Sequence, residues 1–130
     1  MRKILNLTQH KATPEQIAAG VVEPPTAIKQ TIKRLLTFEQ LPAWGDIVIR
    51  AEELAKIASH VFLCELRGEK KVVMIGGAPY LMAPLQRALK QRGFTVVYAF
   101  SKRTVEETQQ PDGTVEKKII FKHIGFIEVP

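Results

Sequence analysis

The sequence predicts an α/β fold, in which a mainly parallel central sheet carries a C-terminal antiparallel β-hairpin. A strand–helix–strand pattern between residues 71 and 100 indicates two parallel strands joined by a helix. Alternating apolar and polar residues on both sides of Gln110-Pro111-Asp112-Gly113 indicate the hairpin, because this tetrapeptide suits a tight turn. A length of 130 residues is close to the common size of one domain, so we expect a single domain over residues 1–130.

The N-terminal residues predict a strand, a short helix and a second strand. Residues 3–7 are mainly apolar and predict the first strand. Thr13-Pro14-Glu15-Gln16 matches a capping box with proline at the first helical position. Val21-Val22 predicts a second, short strand. The polar loop of residues 8–11 therefore leads from a strand to a helix start, which is a ligand-side position in an α/β sheet.

Two amphipathic helices are predicted between residues 26 and 62. Thr26 is expected to cap the first helix, on which Lys29 lies opposite the apolar stripe and so belongs to a solvated face. The second helix is predicted from Trp44 or Asp46 to Phe62, with apolar residues repeating at helical spacing.

The strand–helix–strand unit carries two features that could bind an anion. Gly76-Gly77 follows an apolar strand and would present backbone N–H groups at a helix N-terminus. The next strand is predicted to end at Phe100, so that Ser101, Lys102 and Arg103 emerge at its carboxyl end. The alternative is that the glycines form only a tight turn and the cations only a solvated strand end.

Pro84 limits where the helix of this unit can begin. Inside a helix, proline removes one backbone hydrogen bond and clashes with the preceding turn. We therefore predict that the regular helix begins near Leu81, which puts Pro84 in its first turn and leaves residues 76–80 as a broad loop.

Composition narrows the function classes. The net charge of +6 favours a polyanionic partner, whereas the 7% aromatic content argues against a row of base-stacking rings. Cys64 is the only cysteine, which excludes an internal disulfide and a multi-cysteine metal site and favours a reducing, cytoplasmic location. No run of about 18 apolar residues occurs, so we expect no membrane partner. Neither a cofactor nor a metal is indicated.

Two blocks of sequence resemble a known group of proteins. Residues 6–16 (NLTQHKATPEQ) are similar to the opening of small stand-alone CRISPR-associated proteins. Residues 97–103 (VYAFSKR), with Asp112-Gly113 and residues 115–123 (VEKKIIFKH), are similar to the C-terminal segment of the same proteins. This family resembles the CRISPR-associated Rossmann-fold (CARF) domains, which are dimeric. Several of its members are ring nucleases, which bind or degrade cyclic oligoadenylate messengers of antiviral signalling without a metal.

The resemblance implies a single CARF-like, Rossmann-type domain that binds cyclic oligoadenylate as a homodimer. It implies cleavage by the ribose 2′-OH, either in CRISPR defence or, in a phage or plasmid relative, in its evasion. His10, Ser101 and Lys102 would be the catalytic residues. The remaining residues expected to bind the ligand are Thr8, Gln9, Gly76, Gly77, Tyr80, Arg103 and His123.

Other interpretations of the same residues stay open at this point. His10 could be an acid or base, since an unperturbed histidine titrates near neutrality, but a loop histidine can also be only a turn residue. The protein could bind the ring without cleaving it, as a sensor or sponge. It could instead be a nucleic-acid-binding or interaction protein, although the spread-out basic residues make binding of long nucleic acid the less favoured reading.

Overall fold

The computed structural model describes residues 2–130 and contains one five-stranded sheet with helices on it. The mixed α/β class is confirmed, and so are the mainly parallel sheet and the antiparallel C-terminal pair. In chain order, the elements are β1 (Ile4–Leu7), α1 (Pro14–Ala18), β2 (Val21–Val22), α2 (Thr26–Leu36), α3 (Trp44–Cys64), β3 (Val72–Ile75), α4 (Pro79–Gln91), β4 (Thr95–Gln109) and β5 (Val115–Glu128).

The strand order of the sheet reverses once, between β1 and β3. The spatial order is β2-β1-β3-β4-β5, in which β1 to β4 are mutually parallel and β5 is antiparallel to β4. From β1 the chain moves outward to β2, and it then returns across β1 to place β3 on the other side. The carboxyl ends of β1 and β3 therefore lie side by side where the strand order reverses.

The core covers both faces of β1 and β3. Every residue of these two strands is buried, as expected for parallel strands with packed layers on each side. Alternate residues enter two separate clusters. The larger cluster joins Leu5, Leu7, Val73 and Ile75 to α2, α3 and α4. The smaller cluster, on the opposite face, contains Ile4, Ala12, Val21, Val72, Met74 and Val97.

Beyond the core, β4 and β5 form a long two-stranded arm, which we define as residues 101–123. The prediction that a strand ends at Phe100 is wrong, because β4 continues through Ser101, Lys102 and Arg103 to Gln109. Antiparallel pairing with β5 supplies the backbone hydrogen bonds that keep this stretch extended. At about 3.3 Å per residue, the nine arm residues of β4 span roughly 30 Å. The arm turns at Gly113, which has a φ of 88°.

The sequence predicted the starts of α1 and α3 correctly and those of α2 and α4 incorrectly. The capping box is confirmed, since Gln16 N donates to Thr13 Oγ1 (3.2 Å) and Thr13 N donates to Gln16 Oε1 (3.0 Å). Thr26 is the first helical residue of α2 and not its cap. Helix α4 begins at Pro79, so Pro84 lies inside it, where its buried ring packs in the core.

Candidate functional site

A pocket of about 490 Å³ lies at the carboxyl ends of β1 and β3, where the strand order reverses. This is the position at which open α/β sheets characteristically bind ligands, and the volume is within the range of small-molecule sites. The loop after β1, the glycine turn after β3 and the middle of β4 form its walls. The lining residues used below are Thr8, Gln9, His10, Lys11, Gly76, Gly77, Tyr98 and Ala99.

A buried amide fixes the loop after β1. Asn6 is the only buried polar residue among residues 2–130 and has no measurable exposure. Its Nδ2 donates to the carbonyl oxygen of His10 (2.8 Å) and to the carboxylate of Glu23 (2.7 and 2.9 Å). Its Oδ1 accepts from the backbone N–H (3.0 Å) and the hydroxyl (2.7 Å) of Thr8. One side chain thus joins the end of β1, the loop and the residue that follows β2.

Lys29 completes this network from α2. Its Nζ donates to the carbonyl oxygens of Thr8 (2.9 Å) and His10 (3.2 Å) and lies 3.2 Å from Glu23 Oε1. Only 14% of the side chain is exposed, so the expectation that Lys29 belongs to a solvated face is wrong. An ammonium group with three oxygen partners in a partly desolvated position holds the loop more firmly than a surface ion pair would.

The network leaves His10 on a fixed backbone with a free side chain. Asn6 and Lys29 both donate to its carbonyl oxygen, while the residue itself is exposed and borders the pocket. The imidazole is therefore placed beside the pocket by groups that do not use the imidazole itself. A histidine so positioned can act as a general acid or base.

Thr8 and Gln9 also line the pocket, but part of their hydrogen-bonding capacity is already used. The Thr8 hydroxyl donates to Asn6 Oδ1, so its oxygen can only accept from a further partner. Gln9 Nε2 donates one of its two N–H groups to the carbonyl oxygen of Leu36 at the end of α2 (3.2 Å), which leaves the second N–H and the side-chain oxygen. Thr8 therefore suits contacts to hydroxyl or amino groups of a ligand, whereas Gln9 can also donate to phosphate.

The glycine turn supplies the complementary donors. Gly77 has a φ of 148°, a conformation that residues with a side chain rarely adopt. No side-chain hydrogen bond caps the start of α4 in the part of the chain that the structure describes. Pro79 has no N–H, and Leu81 N donates to the carbonyl oxygen of Ala78 (3.0 Å), so within the first turn only Tyr80 keeps an N–H for a ligand. The helix dipole makes this end positive.

The remaining predicted site residues lie outside the pocket lining. Tyr80 packs edge-to-face on Phe38, with 5.1 Å between the ring centroids. Ser101, Lys102, Arg103 and His123 are on the arm, where Ser101 pairs with His123 across the two strands. Side chains alternate along β4, so Lys102 faces away from Ser101 and Arg103. The structure thus brings Thr8, Gln9, His10, Gly76 and Gly77 together and separates the arm residues from them.

A larger hollow of about 730 Å³ lies between α2 and α3 and carries three cations. Arg50 is one of them, but its guanidinium already donates to the carbonyl oxygens of Leu35 (3.2 Å) and Thr37 (2.6 Å) at the end of α2. The same group lies 4.4 Å from the centroid of the Phe38 ring. Arg50 closes the end of α2, so the pocket at the reversal of strand order is the better candidate site.

Sequence reasoning did not identify Asn6, Glu23 or Lys29 as residues that form the site. Asn6 could have been noticed, since it interrupts the apolar run of β1 at a position that the alternation makes inward-facing. Glu23 and Lys29 gave no comparable signal, because an acidic residue near a strand end and a lysine on an amphipathic helix are ordinary surface features.

The fold and the pocket define a class: an α/β domain with a cleft where the strand order of a mainly parallel sheet reverses. Within that class, the chain belongs to the family described as "Uncharacterized protein MJ1673 family", whose model matches residues 2–127. Neither a curated protein nor a solved structure matches the chain. Over residues 2–130, the helices are too short or too polar to cross a membrane. The same residues contain no cluster of three His, Cys, Asp or Glu side chains that could hold a metal ion.

Proposed function

We propose that this chain is a Rossmann-like domain that binds cyclic oligoadenylate and cleaves it without a metal, in CRISPR antiviral signalling or its evasion. The observation that carries the proposal is the pocket at the carboxyl ends of β1 and β3. There His10, with a fixed backbone, and the glycine turn that leads into α4 line the same pocket. The similarity of residues 6–16 and 97–123 to stand-alone CRISPR-associated proteins supports the choice of ligand.

Phosphate recognition in this proposal depends on the start of α4. Backbone N–H groups after Gly77 would donate to non-bridging phosphate oxygens, as helix N-termini commonly do. Lys11 lines the same pocket and adds a cation. The carbonyl oxygens of Thr8 and His10 are already engaged by Lys29 and so do not oppose an anion.

The proposed reaction is an internal transesterification. The ribose 2′-oxygen attacks the adjacent phosphorus, the bond from phosphorus to the 5′-oxygen breaks, and the products are a 2′,3′-cyclic phosphate and a 5′-hydroxyl. His10 accepts the proton of the 2′-hydroxyl and water protonates the departing 5′-oxygen, or His10 donates that proton while water accepts the one from the 2′-hydroxyl. The N–H groups of Ala78 and Tyr80, at the start of α4, would stabilise the charge that develops on the phosphate oxygens. No oxidant, reductant or external nucleophile is needed.

A sensor or sponge that binds the ring without cleaving it is the second candidate. The separation of Ser101, Lys102 and Arg103 from the pocket favours this alternative, because two of these residues are expected to be catalytic and none lines the pocket. A pocket with fewer charged groups can still hold a nucleotide by stacking, hydrogen bonding and the helix dipole.

The test is a single-turnover assay with labelled cyclic tri-, tetra- and hexa-adenylate in EDTA, read by chromatography. His10→Ala should slow cleavage by roughly 10²–10⁴-fold while the dissociation constant changes little, since a proton-transfer group acts in the transition state. His60→Ala is the matched control, because His60 is also exposed but lies on α3, away from the pocket.

Each outcome of this assay decides between the candidates. Equal rates for wild type and His10→Ala would exclude His10 from the chemistry. Tight binding with no product from any ring would identify a sensor or sponge. Salt-dependent binding to long RNA or DNA, with no preference for a ring, would replace both proposals with a nucleic-acid-binding protein.

A further inference from the structure

The arm presents two chemically different faces. Residues that pair directly across β4 and β5 lie on the same face, and the register therefore sorts the arm into two sets. We call the first set the apolar face: Arg103, Val105, Glu107 and Gln109 of β4 with Phe121, Ile119, Lys117 and Val115 of β5. The second set, the polar face, is Lys102, Thr104, Glu106 and Thr108 with Lys122, Ile120, Lys118 and Glu116.

The large apolar side chains of the apolar face are exposed to water, which is unfavourable. Phe121 is 71% exposed, Val105 60% and Ile119 49%. A two-stranded hairpin is at best marginally stable in water unless something covers an apolar side of it. Helices cover β1 and β3, but the arm extends past them, and nothing within residues 2–130 covers its apolar face.

The charge of the arm favours a protein partner over a nucleic acid. Residues 101–123 contain five lysines and arginines and four aspartates and glutamates, so the arm is nearly neutral although the whole chain is +6. A nucleic-acid-binding ribbon would need an excess of cations to neutralise phosphates. The arm instead carries charges of both signs, which suit a partner that also carries charges of both signs.

The open edge of β5 is protected against pairing with another strand. β5 carries Lys117, Lys118 and Lys122, and the register skips Ile124 between His123 and Gly125, which makes a bulge. Lysines and bulges are the devices by which natural sheets keep an edge from accepting a further strand. A partner is therefore expected on the apolar face and not along the edge.

We propose that the apolar face packs on the apolar face of a second copy, with the two arms antiparallel and a two-fold axis passing by Val105 and Ile119. In that arrangement β4 lies over the partner copy's β4. Arg103 and Glu107 lie two residues on either side of Val105. The two-fold axis therefore places Arg103 of one copy opposite Glu107 of the other, and this contact occurs twice in each dimer. Likewise, Phe121 of one copy meets Lys117 of the other, which suits a cation–π contact. The face is thus complementary to itself, as a two-fold interface requires.

An orphan polar atom at the base of the arm agrees with this register. Nδ1 of His123 is buried and has no hydrogen-bond partner among the described residues. The same counting brings Gln109 of the second copy over Ser101 and Val115 of the second copy over His123. Valine offers no hydrogen bond, so the amide of Gln109, which can both donate and accept, would satisfy this imidazole nitrogen from the neighbouring strand. The inference concerns association alone and does not depend on the proposed function.

The first experiment measures the mass of the protein by light scattering and sedimentation over a range of concentrations. Wild type should be a dimer at micromolar concentration, and Ile119→Lys should be a monomer, because it places two like charges on the two-fold axis. Thr108→Lys is the control: it adds the same charge to the polar face and should remain a dimer. Circular dichroism verifies that each variant is folded.

A charge exchange tests the register independently of whether Ile119→Lys keeps its structure. Arg103→Glu and Glu107→Arg should each weaken dimerisation by about tenfold or more, and the double variant should restore it. A wild-type monomer at all concentrations would overturn the proposal. A dimer that both Ile119→Lys and the single charge variants leave intact would overturn it as well, and would place the interface on another surface.

Discussion

The core strands and the arm belong to one sheet, but they are stabilised in different ways. All residues of β1 and β3 are buried between two layers, whereas all arm residues of β4 except Thr104 are exposed. In the core, burial and a polar network hold the pocket with contacts from within the chain. In the arm, cross-strand pairing alone maintains the structure. The core can therefore form the site by itself, and the arm is suited to gain its stability from a partner.

The largest expected effect comes from the polar network of the core. Asn6→Leu removes the donors to Glu23 and His10 and leaves the Thr8 N–H without its acceptor. Unsatisfied groups in a buried position should lower the free energy of unfolding by about 3 kcal/mol. Urea denaturation measures the change.

The matched control for Asn6→Leu is Thr104→Val in the arm. It removes one long hydrogen bond, from the Thr104 hydroxyl to the carbonyl oxygen of Ile120 (3.5 Å), and should cost less than about 0.5 kcal/mol. Similar losses for the two variants would contradict the distinction between core and arm.

The next effect compares the same truncation in the two regions. Val73 is fully buried in β3, so Val73→Ala should cost about 2 kcal/mol from lost transfer energy and the cavity left behind. Val105 is 60% exposed, so Val105→Ala should cost less than about 0.5 kcal/mol in dilute solution.

The dependence of these two costs on protein concentration provides a further test. If the arm packs on a second copy, the cost of Val105→Ala should rise with protein concentration, while that of Val73→Ala should stay constant. Thermal unfolding at several concentrations makes the measurement. A cost for Val105→Ala that never changes would count against a covered apolar face.

The smallest effect is expected at the tip of the arm, where Asp112 turns the chain. The hydroxyl of Thr114 (2.6 Å) and its backbone N–H (3.0 Å) donate to Asp112 Oδ1, and these bonds lower the pKa of the carboxyl below its ordinary value. A lowered pKa means that the carboxylate stabilises the turn above about pH 4. That contribution is lost as the pH falls through the folded-state pKa.

NMR titration of the Asp112 carboxyl follows this group directly. In Thr114→Val the largest cause of the shift, the side-chain hydrogen bond, is gone, and the pKa should move back toward its ordinary value. An unchanged Asp112 titration in the variant would show that the hydroxyl has no effect on this carboxyl.

Local pattern was sufficient for much of the core. The apolar run of β3, the glycine turn and the periodicity of α4 predicted a parallel unit, and the capping box predicted the start of α1. Five of the predicted site residues line one pocket because each follows the end of a parallel strand. Such positions can be read from the sequence, since the carboxyl ends of parallel strands share an edge.

What failed depends on contacts between distant residues. Lys29 looks like a solvated lysine until β1 and α2 are packed together, which places its ammonium group on carbonyls 19 and 21 residues away in sequence. The continuation of β4 beyond Phe100 depends on its pairing with β5 and not on its own composition. The sequence on either side of Ser101 does not show that β4 pairs with β5 here. The strand end was therefore predicted too early, and three site residues were placed wrongly.

The bulge at Ile124 determines which side chains of β5 lie on the same face as Val105. Phe100 pairs with Gly125 and Ser101 pairs with His123, so one additional residue changes which β5 side chains share a side with the odd-numbered residues of β4. With continuous pairing through Ile124, Val105 would stand beside Ile120, while Phe121 and Ile119 would fall on the opposite side with Thr104 and Glu106. The single inserted residue places the apolar side chains of both strands on one face of the arm. A one-residue insertion or deletion between this bulge and the turn would therefore place them on opposite faces.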